Sequence, residues 1–155
     1  MITADGTSKV IEYNCRFGDP ETQPIMLRLQ SDLVELIEAA NRVELNKTEI
    51  NFDSRAAVGV VLAAAGYPGS YPKGDVISGL RAEYADGTKV FHAGTKQDGE
   101  NVVTAGGRVL CATALGNSVT EAQQAAYKLV KAINWSGVEY CTDIAYRAIE
   151  RENNN

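Results

Sequence analysis

Ala57-Val58-Gly59-Val60-Val61-Leu62-Ala63 is the stretch whose reading decides the fold. It is short, rich in β-branched residues and closed off by Gly66 and Pro68, the pattern of a buried strand rather than of a helix segment. Downstream, extended runs separated by glycine and aspartate predict strands over residues 89–93, 101–104 and 108–115. Ser118 or Thr120 then caps a helix over residues 121–133. Ala122, Ala126, Leu129, Val130 and Ile133 recur at helical spacing and give that helix one apolar side. Trp135 is expected to pack beneath it, and residues 143–150 to form a short closing element before the fraying Asn153-Asn154-Asn155 end. No internal repeat is present. The expected class is α+β, a sheet covered on one face by one long helix.

Upstream, the chain is less regular. Asp5-Gly6 is a hairpin turn signal, and Lys9-Val10-Ile11-Glu12-Tyr13-Asn14-Cys15-Arg16 reads as the strand that follows it. Only four residues precede the turn, so this strand would lack its partner. The expectation is a fragment that begins in the middle of a sheet. Asp19 or Thr22 starts a short helix, with Pro20 suited to its first turn. Ser31-Asp32 caps a second helix whose apolar face is Leu33, Leu36, Ile37 and Ala40. Residues 41–54 are polar and act as a linker, with a short strand at 50–52.

Composition narrows the function classes. Of 155 residues, 45% are hydrophobic and 23% charged, as in an ordinary globular protein rather than an acidic disordered tail. The net charge is -5 and basic residues form no runs, which argues against a nucleic-acid partner. No apolar stretch approaches the roughly 20 residues that span a bilayer. The N-terminal residues show no charged-then-apolar signal pattern. Cys15, Cys111 and Cys141 are odd in number and lack metal-like spacing, which suits free thiols in a reducing cytoplasm. The sequons at Asn46-Lys47-Thr48 and Asn134-Trp135-Ser136 carry no meaning there. Loop 66–75 is glycine-rich without the Gly-Lys-Ser/Thr ending of a phosphate-binding P-loop. His92, the single histidine, stands near no serine or cysteine motif and reads as a packed or hydrogen-bonded residue.

Two groups of residues are candidates for chemistry. On an extended strand, Glu12, Asn14 and Arg16 project from one face. A carboxylate and an amide oxygen there suit a hard cation such as magnesium, and an arginine beside them suits a phosphate or carboxylate. The same alternation is also that of any half-buried strand with a solvated face, opposite Ile11, Tyr13 and a core-facing Cys15. Lys96 and Arg108 each follow glycine, in Gly94-Thr95-Lys96 and Gly106-Gly107-Arg108, where backbone amides can approach an anion. They read equally well as surface cations on two hairpin turns.

The run Glu12-Tyr13-Asn14-Cys15-Arg16-Phe17-Gly18-Asp19-Pro20-Glu21-Thr22-Gln23 resembles the signature of phosphoribosylamine–glycine ligases (glycinamide ribonucleotide synthetases). Gly59-Val60-Val61-Leu62-Ala63-Ala64-Ala65-Gly66-Tyr67-Pro68 is similar to the opening of that family's C-terminal domain. Phe91-His92-Ala93-Gly94-Thr95-Lys96, Gly106-Gly107-Arg108-Val109-Leu110 and Tyr146-Arg147-Ala148-Ile149-Glu150-Arg151 follow in the family's order.

The resemblance covers essentially the whole chain. It implies residues 1–42 as the end of an ATP-grasp region, 43–55 as linker and 56–152 as the C-terminal domain, a small mixed-sheet, β-barrel-like unit with one long covering helix. It further implies the ligation of glycine to 5-phosphoribosylamine at the expense of ATP, giving glycinamide ribonucleotide, ADP and phosphate. By the same likeness Glu12 and Asn14 match metal ligands for magnesium or manganese, and Arg16 steadies glycine's carboxylate or the transferred phosphoryl group. Lys96 and Arg108 face the ribose-phosphate substrate or the ATP phosphates. Asp19 and Glu21 have no assigned role beyond ordering the turn.

The family's N-terminal domain, most of its ATP-grasp region and its first metal-ligating carboxylate are not in this sequence. The expectation is therefore an inactive fragment, one that can pair with a second copy through an exposed strand edge over residues 1–14. The alternative is a stand-alone binding or interaction module derived from the ligase C-terminal domain. An acyl- or biotin-carrier-like domain is set lower, because no Met-Lys attachment turn is present.

Overall fold

The computed structural model describes residues 4–13, 15–18, 20–81 and 83–154. Two antiparallel sheets organise it. The larger has β1 (Ala56–Ala63), β5 (Arg108–Gly116) and β2 (Thr88–His92) in the order β1-β5-β2. The smaller is the hairpin of β3 (Thr95–Asp98) and β4 (Asn101–Thr104), with Gly99 at φ +58 in its two-residue turn. Among the described residues four α-helices accompany them: α1 (Thr22–Arg28), α2 (Leu33–Asn41), α3 (Val119–Ala132) and α4 (Tyr146–Asn153). The α+β class therefore holds. All strand pairs are antiparallel and the described strands do not close into a barrel, which corrects the expectation of a mixed, barrel-like sheet.

The core follows from strand alternation. Val58, Val60 and Leu62 of β1 stand opposite Ala114, Ala112 and Leu110 of β5, and Val90 of β2 joins them. Directly opposite residues share a face, and this face is the one that α3 covers with Ala122, Ala126 and Val130. Ser118 caps α3 by accepting from the Glu121 N–H at 3.1 Å. Ile133 and Trp135 join the cluster, so the tryptophan packs where the sequence places it. His92 is exposed and its Nδ1 shares a hydrogen bond of 3.0 Å with the Thr95 hydroxyl.

The opposite face is covered too, which the sequence reading did not foresee. There α1 lies across β1 and β5, and a Cβ added at Gly59 would stand 3.1 Å from both Pro24 Cγ and Cys111 Sγ. Glycine at that point admits the helix. Pro24 sits in the first turn of α1, where a missing N–H costs nothing.

Residues 28–30 run antiparallel to 51–53. The Gln30 N–H donates to Asn51 O at 2.9 Å and the Asp53 N–H to Arg28 O at 2.7 Å. Arg28 Nη2 also donates to Asp53 O at 2.8 Å, while Arg55 holds the Asp53 carboxylate with Nη2 at 2.7 Å and Nε at 3.0 Å. These hydrogen bonds from the Arg55 side chain, and then from its backbone N–H, push the Asp53 carboxyl from 3.8 down to about 2. A depressed carboxyl pKa adds stability that is present above the unfolded value and is lost as pH falls through the folded one. The stability gap between the parent chain and Asp53→Asn should therefore close between about pH 4 and pH 2. Urea midpoints measured across that range check it; a gap unchanged down to pH 2 would show that the carboxylate contributes nothing. The looser Arg55–Asp86 pair, at 3.9 Å with a fully exposed aspartate, adds little.

Three further expectations need correction. Described residues 9–13 and 15–16 form no strand. Val10, Ile11 and Tyr13 are 69%, 72% and 81% exposed, so neither parity of the run is buried, and Cys15 at φ +52 interrupts the extended backbone. With no face to bury, alternation supplies no driving force for a strand. Of the edge expected to pair with a second copy, residues 9–13 are not in a strand, and Met1 to Thr3 and Asn14 lie outside the described residues. Cys15 is exposed rather than core-facing. Finally, α2 has its Asp32 cap, but it buries Leu36 and Ala39 while Leu33, Ile37 and Ala40 are exposed. The face is set by the turn at 43–48, whose Glu44 N–H donates to Ala39 O at 2.8 Å.

At the other end, Asn153 is helical instead of frayed. Glu152 fastens α4 to the start of α3 by accepting from the Val119 N–H at 2.9 Å and from the Thr120 N–H and hydroxyl. These donors, Val119 first, hold its carboxyl below the ordinary range. An acidic group at a helix N-terminus is also favoured by the unpaired amides there.

Candidate functional site

A cavity of about 460 Å³ opens on the sheet face away from α3. Its floor is Gly59, Val61 and Ala63, the β1 residues that alternate with the core set. One wall is the segment from Glu139 to Ile144, tied to β1 by the paired Ala63–Glu139 backbone bonds at 2.8 and 2.9 Å. Tyr127 on α3 secures that wall. Its hydroxyl donates to Cys141 O at 2.7 Å and accepts from the Ile144 N–H at 3.1 Å. Burial raises the Tyr127 pKa, and the Ile144 hydrogen bond opposes that rise. Gln123 adds a third tie, from Nε2 to Ile144 O at 2.8 Å. Tyr67 and Arg108 form the remaining side, with Pro20 of the N-terminal segment at the rim.

Arg108 reaches this cavity because of a β-bulge. By simple alternation Arg108 would share a face with Leu110, which faces the core. The register shifts between Leu62 and Ala63, so that Leu62 opposes Leu110 but Ala63 opposes Arg108. Val109 becomes the extra residue and is fully buried in the core cluster, while Arg108 is turned to the face of Ala63. Re-aiming a side chain is a common use of a bulge beside a site. The guanidinium then lies 5.7 Å from the Tyr67 ring centroid.

Lys96 is exposed on β3, opposite Val103. The glycines beside these two cations are not open anion nests. Gly94 O accepts from the Ala105 and Gly106 N–H groups at 2.8 and 3.0 Å, and the Gly94 N–H donates to Arg108 O at 2.9 Å. The two glycine segments therefore cross in backbone contact, and three of the amides there are already spent on that crossing.

The N-terminal candidates are not gathered with them. Glu12 and Arg16 are exposed, and Arg16 Nη1 donates to the neighbouring Phe17 O at 3.1 Å. Asn14 and Asp19 lie outside the described residues, and Glu21 flanks the start of α1 without a side-chain cap. Among the described residues no cluster of three or more His, Cys, Asp or Glu side chains could hold a metal. Glu12 is one carboxylate open to solvent, a single donor toward the several oxygen ligands that a magnesium or manganese ion needs.

The sequence reading named Arg108 and Lys96 but missed Tyr67, Glu139 and Tyr140. Two tyrosines within Gly66-Tyr67-Pro68-Gly69-Ser70-Tyr71-Pro72 were the available signal: large rings in a loop rigid enough to place them.

This architecture is shared with a crystal structure of phosphoribosylamine–glycine ligase from Thermotoga maritima. The likeness covers 88% of this chain and 33% of that one, with a TM-score of 0.69 and 34% identity. The fold thus defines the class, a ligase C-terminal domain of antiparallel α+β form. The profile described as phosphoribosylglycinamide synthetase, C domain, matches residues 57–147, and the chain belongs to that family. Relatives named phosphoribosylamine–glycine ligase are 64% identical in Vibrio vulnificus strain YJ016 and 61% in Pseudomonas aeruginosa, each over 98% of this chain. The chain spans about a third of those relatives' length, 35% in both.

Proposed function

We propose that this chain is the C-terminal part of a phosphoribosylamine–glycine ligase, and that its cavity face turns toward the ribose-phosphate substrate. The reading rests on the 64% identity with the Vibrio vulnificus ligase across 98% of the chain, and the re-aimed Arg108 supports it. In the reaction, ATP phosphorylates glycine's carboxylate, the amine of 5-phosphoribosylamine displaces that phosphate, and glycinamide ribonucleotide, ADP and phosphate result. Proteins speed such transfers mainly by positioning and charge stabilisation. Arg108 would hold the sugar phosphate by charge-assisted hydrogen bonds, with Lys96 a second cation for the same phosphate or those of ATP. Arg16 would steady glycine's carboxylate or the transferred phosphoryl.

Residues 1–42 would belong to an ATP-grasp region, 43–55 to a linker and 56–152 to the C-terminal domain. Glu12 and Asn14 would then be two oxygen donors of a magnesium or manganese site completed by the other two thirds of a ligase. Three free cysteines favour a reducing, cytoplasmic setting. No helix among the described residues is long and apolar enough to cross a membrane.

A hybrid tests this. With the chain in place of the matching third of the Vibrio vulnificus ligase, ATP-dependent formation of glycinamide ribonucleotide should be restored, whereas the 155-residue chain alone should give no turnover. A rate proportional to the concentration of the chain alone, and lost on Glu12→Ala, would overturn the shared-site reading. A folded hybrid without activity would overturn the ligase reading and favour a binding module.

A further inference from the structure

Arg108 is exposed and long, and a flexible cation loses side-chain entropy each time it is fixed on an anion. Its surroundings reduce that freedom, and Tyr67 is one of the groups that do so. The Tyr67 ring lies with its centroid 5.7 Å from the guanidinium, close enough for the cation to be drawn to the ring face. That ring can sit there only because the preceding residue is glycine: a Cβ on Gly107 would run into Tyr67 Cδ2 and come within 2.6 Å of Cε2. Gly107 is buried, and the same Cβ would stand 3.0 Å from Tyr71 Cε1. Tyr71 in turn backs Tyr67, with ring centroids 6.2 Å apart at 58°. The Tyr67 N–H donates to Ala64 O at 3.1 Å and the Ala64 N–H to Gly107 O at 2.8 Å, so the ring and the arginine strand are joined through one short backbone path.

We propose that Tyr67, seated over Gly107 and backed by Tyr71, is the positioning residue that aims the Arg108 guanidinium at the cavity mouth toward the substrate's sugar phosphate. This rests on the reading of Arg108 given above. The ring's face does the aiming, while its hydroxyl is not required. The bulge at Val109 sets the side of the sheet from which Arg108 leaves, and Tyr67 contributes to its direction.

The hybrid ligase carrying this chain separates the possibilities. Arg108→Ala should raise KM for 5-phosphoribosylamine, and Tyr67→Leu should raise it by about five- to tenfold toward that value, with kcat and KM for ATP unchanged. Tyr67→Phe should match the parent. If Arg108→Ala leaves that KM unchanged, the assignment of Arg108 itself fails. If Arg108→Ala raises it and Tyr67→Leu does not, Tyr67 has no positioning role. A fall in kcat and a rise in every KM on Tyr67→Leu would mark it as merely structural.

A measurement on the 155-residue chain needs no turnover. The Arg108 δ-methylene protons should be ring-current shifted in the parent and in Tyr67→Phe, and should lose that shift in Tyr67→Leu. Equal shifts in all three chains would overturn the proposal.

Discussion

Leu62→Ala is expected to destabilise the chain by about 3–4 kcal/mol, within the range for large-to-small changes at fully buried sites. Leu62 is 0% exposed, stands opposite Leu110 in the sheet and belongs to the cluster beneath α3. The cost has two parts: lost burial of the removed carbons, and the hole left where neighbours cannot follow. Collapse is resisted here because β5 is buried from Val109 to Ala114 and hydrogen-bonded on both sides. Val61→Ala is the control one residue away. Val61 is half-buried and lines the cavity, so its loss should cost under about 1 kcal/mol. Urea unfolding of the two variants, compared at equal slope, checks the contrast. Similar losses at both positions would mean that the cavity face is packed as tightly as the α3 face.

That contrast also shows what could be read from sequence. β1, β2, β4, β5 and α3 were legible because their signals are local: alternation, β-branching, a serine cap and four-residue spacing. Arg108 was picked out by its place after two glycines. What escaped was non-local. The polar run Thr95-Lys96-Gln97-Asp98 gives no strand signal, since the buried residues of the hairpin, Val103 and Thr104, belong to its partner β4. The face of α2 rotated to Leu36 and Ala39 because the following turn decides what it covers. Residues 9–16 alternate in sequence, but the described ones, 9–13 and 15–16, bury neither face. Most telling is the bulge at Val109. Alternation alone sends Arg108 into the core, and only the register of β1 against β5 turns it to the cavity. The wall from Glu139 to Ile144 is likewise brought there by pairing with Ala63, far away in the chain.

The glycines beside Lys96 and Arg108 were legible as glycines but not in their purpose. Sequence suggested backbone room for an anion; the structure uses that room for the chain itself. A Cβ on Gly94 would meet Gly106 Cα at 2.6 Å, Arg108 O at 2.7 Å and Gly106 N at 2.8 Å, all backbone atoms. A flexible side chain can swing aside, but backbone held by three hydrogen bonds must move as a unit. The Gly94 φ is not in the left-handed region, so the penalty of Gly94→Ala is one of space rather than of dihedral strain.

We expect that substitution to cost about 3 kcal/mol, at the upper end of the range for overpacking. Because Gly94 leads into β3 and Gly106 leads into Arg108, the shift should also displace both cations. In the hybrid ligase, KM for 5-phosphoribosylamine should rise even at temperatures where Gly94→Ala remains folded. Gly99→Ala separates crowding from backbone conformation. Its added Cβ meets nothing within 4 Å, but its φ of +58 carries a cost of about 1 kcal/mol and reaches neither cation. Thermal unfolding and steady-state kinetics of the two variants provide the comparison. Equal losses of stability with an unchanged KM would mean that the crossing of Gly94 and Gly106 shapes the hairpin without shaping the site.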